Sequence, residues 1–246
     1  MKSDEAVGIL VVFALVGLLI GFAAATSAPE IVGTGNALTT FVATFIGAWG
    51  AFLLESRRRS EQEVSAKVQA GNRILFDLYM VWNDYTMIEQ RLAPELATVH
   101  PSLYWCQLRP RIFVEPRQGI LDVARLEFML NSPKASLLVE VQIQHERYRQ
   151  YLDLVQRRGA LFATAQNLWA RSGIVGASDL GQLLDVTGPA LRGQLESLTN
   201  MTLEFLPENR SQARVVFDAL RDELGLRFPG RKFIAIVDGQ TPARSP

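Results

Sequence analysis

Chemistry in this chain would have to come from a small stock of reactive side chains. There are two histidines, His100 and His145, and one cysteine, Cys106. The run His145-Glu146-Arg147-Tyr148-Arg149 begins like the helical zinc motif HExxH. Arg149 stands where the second histidine must project from the same helix face, so no two-histidine metal site forms. His145 reads instead as a hydrogen-bonded histidine near a helix seam. Cys106 beside a histidine would make a nucleophile and its base. Flanked by Tyr104 and Trp105, it reads as a small buried hydrophobe. A single cysteine also excludes an internal disulfide and a cysteine-rich zinc site. Gly33-Thr34-Gly35 lacks the third glycine of a dinucleotide fingerprint. Neither the phosphate loop GxxxxGKS/T nor the nucleophile elbow GxSxG is present. Asp218, Asp222 and Glu223 alternate with Arg221, which is the pattern of a solvated helix face. The reading is therefore no enzyme, no metal and no cofactor. An unrecognised active site in the 93–119 region ranks last among the alternatives.

Charge removes another class. Lys plus Arg and Asp plus Glu number 25 each, and the pI is near 6.8. A duplex-binding protein needs a basic surplus on one face, so no nucleic-acid partner is expected. Arg157-Arg158 and the set Arg109, Arg111, Arg117 are too few to change this.

The apolar residues are unevenly spread, and this gives the first architectural element. Residues 6–26 are uncharged over 21 positions, roughly 31 Å as a helix and enough for a hydrocarbon core. Residues 37–54 are a second uncharged run, roughly 27 Å long. The ten residues between them, 27–36, contain a proline and two glycines, so residues 1–54 are expected to form a transmembrane hairpin with 27–36 as a short outer loop. Arg57, Arg58 and Arg59 follow the second span and are expected to hold that end on the cytoplasmic side, touching lipid headgroups. Both termini are then cytoplasmic. Ala23-Ala24-Ala25 offers a signal-peptidase site, but the apolar stretch is too long and the start too acidic for an ordinary signal peptide.

The hairpin has small-residue faces. Gly17 and Gly21 form a GxxxG on the first span. Thr40, Ala43, Thr44, Gly47 and Ala51 recur at helical spacing on the second, opposite Phe41, Phe45, Trp49 and Phe52. Small residues let helix backbones approach closely in lipid. The plain reading packs the two stripes against each other; the sharper one assembles a homo-oligomer, with the threonines towards a pore. Neither span carries an ionisable residue inside, which argues against a proton relay.

Residues 55–92 show a helical apolar stripe from Val64 to Ile88 and read as a stalk helix continuous with the second span, ended by Pro94. Residues 93–119, with Pro94, Pro101, Pro110 and Pro116, read as an irregular insertion with an extended piece at 111–114. A helix over 120–131 is expected, then Ser132-Pro133 as cap and first turn of a helix running to about Arg171. Its seam is Leu137, Val141, Gln144 or His145, Tyr148, Leu152, Val155, Gly159, Phe162, Ala165 or Gln166, and Trp169. Ser178-Asp179 is expected to start the next helix, Gly188-Pro189 to break it, and Pro207 to end it. Asn209 with Gln212 resembles a capping box for a last helix. Residues 233–237 read as a short strand or docked segment, and 238–246 as a frayed tail.

The sequence thus describes an all-α protein: a two-helix transmembrane hairpin (1–54), a stalk (55–92), an insertion (93–119) and a cytosolic helical bundle (120–237). The expected function is that of a two-pass bacterial inner-membrane protein of non-enzymatic type; 21 arginines against 4 lysines suggest a GC-rich genome. Its partners would be the lipid bilayer, a cytosolic protein and, as an alternative, further copies of itself. The competing reading is an oligomeric pore-forming or membrane-disrupting effector.

Overall fold

The computed structural model describes Val16 and residues 32–109, 123–130, 132–174 and 180–236. All regular elements among them are helices. The chain divides into two compact units, Met1–Ser65 and Ala66–Pro246.

In the first unit the described element is the start of α1, which spans Val32–Thr98. The helix begins inside 27–36, which was expected to be loop. A glycine costs a helix only about 1 kcal/mol relative to alanine, so Gly33 and Gly35 do not prevent it. Among the described residues no helix is long and apolar enough to cross a membrane. The expected first span lies, but for Val16, outside the described residues. In α1 the apolar run stops at Leu54, where Glu55 and the three arginines follow.

The second unit is built on three long helices: α1 from Ala66 onward, α3 (Ser136–Arg171) and α4 (Leu180–Arg227). A short helix, α2 (Tyr104–Gln107), follows a 3-10 turn at Pro101–Leu103. Periodicity dictates the packing. Every three or four residues α1 turns Ile74, Leu75, Leu78, Val81, Tyr85, Ile88 and Leu92 inward. α3 buries Leu137, Val141, Gln144, Tyr148, Leu152, Val155, Phe162 and Ala165, which is the seam read from the sequence, with Gln144 rather than His145 on the inner face. α4 runs opposite to both. Its Leu224 meets Gly71 of α1, Arg210 pairs with Glu89, and Thr199 bonds Arg158 of α3. A Cβ on Gly71 would sit 2.9 Å from Leu224 Cδ1, so a larger residue there would require the Leu224 side chain to shift.

Two prolines expected to end helices lie inside them. α1 continues through Pro94 to Thr98, and α4 continues through Pro207 to Arg227, so Asn209 sits within a helix and opens none. Each proline forfeits one backbone hydrogen bond. Both are exposed, and the helix on either side is anchored: Leu92 and Leu96 around Pro94, Leu206 and Ala213 around Pro207. Packing of those turns outweighs the local loss. The break at Gly188 does occur: its φ of 69° and ψ of 157° lie outside the helical region, in territory that glycine enters at low cost. α3 ends as expected, with the Ser172, Gly173 and Ile174 amides bonding carbonyls of its last turn.

The expected insertion is partly helical. Residues 93–98 belong to α1 and 101–107 form the 3-10 turn and α2, while the extended piece at 111–114 lies outside the described residues. The 120–131 helix is a 3-10 segment, Val123–Met129, kinked at Leu126. Ser132 does cap, but it caps a turn, accepting from the Lys134 amide at 3.2 Å; α3 proper starts at Ser136. Residues 231–236 form no strand; they are a docked segment whose backbone is bonded by the Asn72 side chain. Asn72 Oδ1 accepts from the Ile234 amide at 3.1 Å and Asn72 Nδ2 donates to the Lys232 carbonyl at 3.3 Å. Asn72→Ala is expected to cost about 1–2 kcal/mol and to speed hydrogen exchange at Ile234 while leaving the α3 core amides unchanged.

Candidate functional site

The helix-packing and headgroup residues singled out in the sequence fall in the first unit. Gly17 and Gly21 lie outside the described residues. Thr40, Ala43, Thr44, Gly47 and Ala51 share one exposed face of α1, and nothing lies within 4 Å of where a Gly47 side chain would start. Thr44 Oγ1 donates to the Thr40 carbonyl at 2.8 Å, so its hydroxyl is satisfied within the helix. The opposite face carries Phe45, Trp49 and Phe52 with ring centroids 6.3 Å apart in sequence order. Phe41 is 71% exposed. Arg57, Arg58 and Arg59 are all exposed, and Arg59 pairs with Glu55 at 2.9 Å. A pair that open contributes little to stability.

The histidines and cysteine are not brought together. His100 Nδ1 accepts from the Ser102 amide at 3.3 Å and lies 2.9 Å from Ser102 Oγ, so this imidazole caps the 3-10 turn. Cys106 is buried, its thiol donates to the Leu103 carbonyl at 3.3 Å, and burial pushes its pKa up, away from a reactive thiolate. His145 is half-buried, and desolvation, with Arg149 beside it, holds its pKa down. Among the described residues no cluster of three or more His, Cys, Asp or Glu could hold a metal ion.

The most organised polar group in the second unit is Arg158, which the sequence reading passed over as half of an arginine pair. Arg157 is exposed and paired with Asp153 at 2.8 Å. Arg158 is only 7% exposed. Its Nε donates to Thr199 Oγ1 at 2.8 Å, and one Nη donates to the Leu108 carbonyl at 2.7 Å and the Tyr104 carbonyl at 3.4 Å. Its guanidinium carbon stands 5.6 Å from the Phe162 ring centroid. Burial pushes its pKa down and the charge of Glu95 pulls it back up. One side chain on α3 thus joins α4 to both ends of α2. Trp105 of α2 packs among Phe162, Ala165, Leu183 and Leu195, with Arg192 over its face at 5.9 Å, while Trp169 Nε1 donates to Thr187 Oγ1 at 2.8 Å. The signal was present in the spacing: Arg158 lies three residues after Val155 and four before Phe162, on the seam itself.

Beside this clasp is a small cavity of about 30 Å³, its polar lining Arg109, Tyr151, Arg158, Thr199 and Thr202 and the rest aliphatic. That space suits one or two waters and is far below an ordinary ligand pocket. The clasp positions structure; among the described residues nothing is arranged around it as nucleophile, base and oxyanion donors would be. Compared with known families, with curated proteins and with solved structures, the chain matches none.

Proposed function

We propose that the chain is a two-pass bacterial inner-membrane protein of non-enzymatic type, whose cytosolic helical bundle binds a protein partner or a second copy of itself and couples that event to the membrane segments. The observation that carries the reading is the pair of uncharged runs, 6–26 and 37–54, followed at once by Arg57, Arg58 and Arg59. The described part of the second run supports it. Phe41, Phe45, Trp49, Phe52, Leu53 and Leu54 are exposed on α1, and a run of uncovered large apolar side chains is one that lipid or protein must cover. The hairpin places both termini and the bundle in the cytoplasm and leaves 27–36 near the outer surface. A stalk helix that enters the bundle core through Leu75, Leu78 and Tyr85 offers a mechanical connection between the two.

Membranes from cells expressing the full chain are expected to retain it through an alkaline carbonate wash. Release into the wash overturns the reading. A cysteine in place of Ser60 is expected to react with an impermeant maleimide only after the cells are opened, Cys106 being buried; labelling of intact spheroplasts would reverse the orientation. Light scattering of the chain in nanodiscs then separates the partners. A defined oligomer favours self-association through the Thr40–Ala51 face and brings the pore reading forward. A monomer that keeps no protein through mild purification ends the interaction reading.

A further inference from the structure

The C-terminal end of α4 forms a platform that the proposed function leaves unused. Past Arg227 the chain turns at Pro229-Gly230, with the Arg231 amide bonding the Phe228 carbonyl at 3.1 Å. The turn is held on two sides. Phe228 lies between Phe128 at 5.8 Å and Phe233 at 6.4 Å, and Asn72 clamps Lys232 and Ile234. On this base Arg227, Arg231 and Lys232 are all exposed. The Arg227 guanidinium lies over the Phe128 ring at 5.6 Å. Two large apolar side chains close by in sequence are left uncovered by the bundle, Leu226 at 77% and Leu130 at 63% exposed.

The local carboxylates do not cancel this charge. Glu223 is held by Ser132 at 2.7 Å and Lys134 at 3.7 Å, and Asp222 by Arg221 at 2.8 Å. Among the described residues Glu127 and Asp222 are the exposed acidic residues nearby in sequence, and Asp222 is already paired with Arg221. Asn72 and Gly71 tie the platform to the first turns of α1 that belong to the second unit.

We propose that this platform, Leu226, Arg227, Arg231 and Lys232 with Leu130 and Phe128, rests on an anionic lipid surface. The inference builds on the membrane reading above. Cations beside exposed apolar side chains are the composition of an interfacial contact: headgroup phosphates take the arginines and lysine, and the leucines enter the acyl boundary. A protein partner would gain from the leucines, but three cations at the end of α4 and just past it are matched best by a surface of repeated negative charge.

The test uses the full chain reconstituted in vesicles, with a cysteine at Leu226 carrying an environment-sensitive dye; Cys106 is buried and stays unlabelled. In vesicles containing phosphatidylglycerol the dye emission is expected to move to the blue relative to pure phosphatidylcholine. Salt at about 0.5 M, where screening reaches only a few ångströms, and the triple variant R227Q/R231Q/K232Q should each abolish the shift. An inserted chain with the same emission in both lipids overturns the platform and leaves the membrane reading intact. If the chain fails to insert at all, the membrane reading falls, and cosedimentation of the unlabelled chain with phosphatidylglycerol vesicles decides the platform separately. Binding weakened roughly a hundredfold by the triple variant, about fivefold per removed charge, supports it, and equal binding of variant and wild type overturns it.

Discussion

Arg158→Ala is expected to destabilise the bundle by about 3–5 kcal/mol, the range for removing one member of a buried charged network. The loss has named parts. Thr199 loses the Nε donor, and the Leu108 and Tyr104 carbonyls lose theirs, in a place that water reaches poorly. The favourable charge interaction of the guanidinium with Glu95 is lost as well. The Phe162 ring loses the cation beside it. Arg158→Lys is expected to restore only part of the loss. A single ammonium cannot reproduce a planar fork that reaches α4 and both ends of α2 at once. Thr199→Val removes one of the three acceptors and should cost about 1–2 kcal/mol. Urea unfolding of the detergent-solubilised chain, followed by far-ultraviolet circular dichroism, gives all three values. An Arg158→Ala loss below about 1 kcal/mol, the range of a surface substitution, would mean that α2 docks through Trp105 and Cys106 alone. Hydrogen exchange at Leu108 offers a second check, because its amide closes α2 on the Tyr104 carbonyl at 3.2 Å and should be released along with the clasp.

The history of Arg158 shows what a sequence displays and what it hides. The seam of α3 was legible because apolar residues at three- and four-residue spacing leave few alternatives; the expected residues from Leu137 to Ala165 took their places except at Gly159, where Arg158 faces inward. An arginine on the same seam satisfies the spacing and violates the chemistry, and such a conflict is resolved only by partners from elsewhere in the chain. Those partners, Thr199 and two backbone carbonyls, carry no sequence signature. Pro94 and Pro207 were misread for a related reason. A proline's local cost is known in advance, whereas the anchoring of Leu92, Leu96, Leu206 and Ala213 on either side of them is a tertiary fact. Gly188 was legible because backbone freedom and a following proline act in the same direction at one place. His145 and Gln144 were left as alternatives for one seam position, and the helix rotates Gln144 inward. The His100 imidazole caps the turn that begins at the next residue, Pro101, a role that residue type and spacing alone do not announce. The small-residue face of α1 was legible as a face, but what covers it belongs to the proposal, because Gly47 looks onto open space.

Tyr85 is the other position where a large effect is expected, and there the size of the effect depends on what replaces it. Its ring is fully buried between Tyr148 at 5.7 Å and Tyr151 at 5.3 Å, both edge to face. Tyr85→Ala should cost about 3–5 kcal/mol, since a large aromatic cavity in a core joined by three helices cannot collapse fully. Tyr85→Phe should go the other way. Among the described residues neither the Tyr85 nor the Tyr151 hydroxyl has a hydrogen-bond partner, and deleting a buried unsatisfied hydroxyl removes a cost of about 1–3 kcal/mol, less whatever packing the oxygen supplied. Tyr148 differs, because its hydroxyl donates to Asp84 Oδ2 at 2.6 Å, so Tyr148→Phe is expected to destabilise. The same burial makes stability depend on alkaline pH. Desolvation pushes the Tyr85 phenol well above the ordinary value, with Tyr151 and Tyr148 adding to the rise, and desolvation alone does the same to Tyr151. In the unfolded chain both phenols lose their protons near pH 10, while in the fold both stay neutral. The unfolded state therefore binds fewer protons above that pH. Stability is complete below about pH 10 and falls as the pH rises further, by about 1.4 kcal/mol per tyrosine for each pH unit. Tyr85→Phe removes one of the two groups, so the variant should lose stability about half as steeply as the wild type between pH 10 and 12 where these two phenols govern the slope. Equal slopes in urea titrations across that range would show that Tyr85 ionises in the fold as readily as in the unfolded chain, and the sealed aromatic core between α1 and α3 would be disproved.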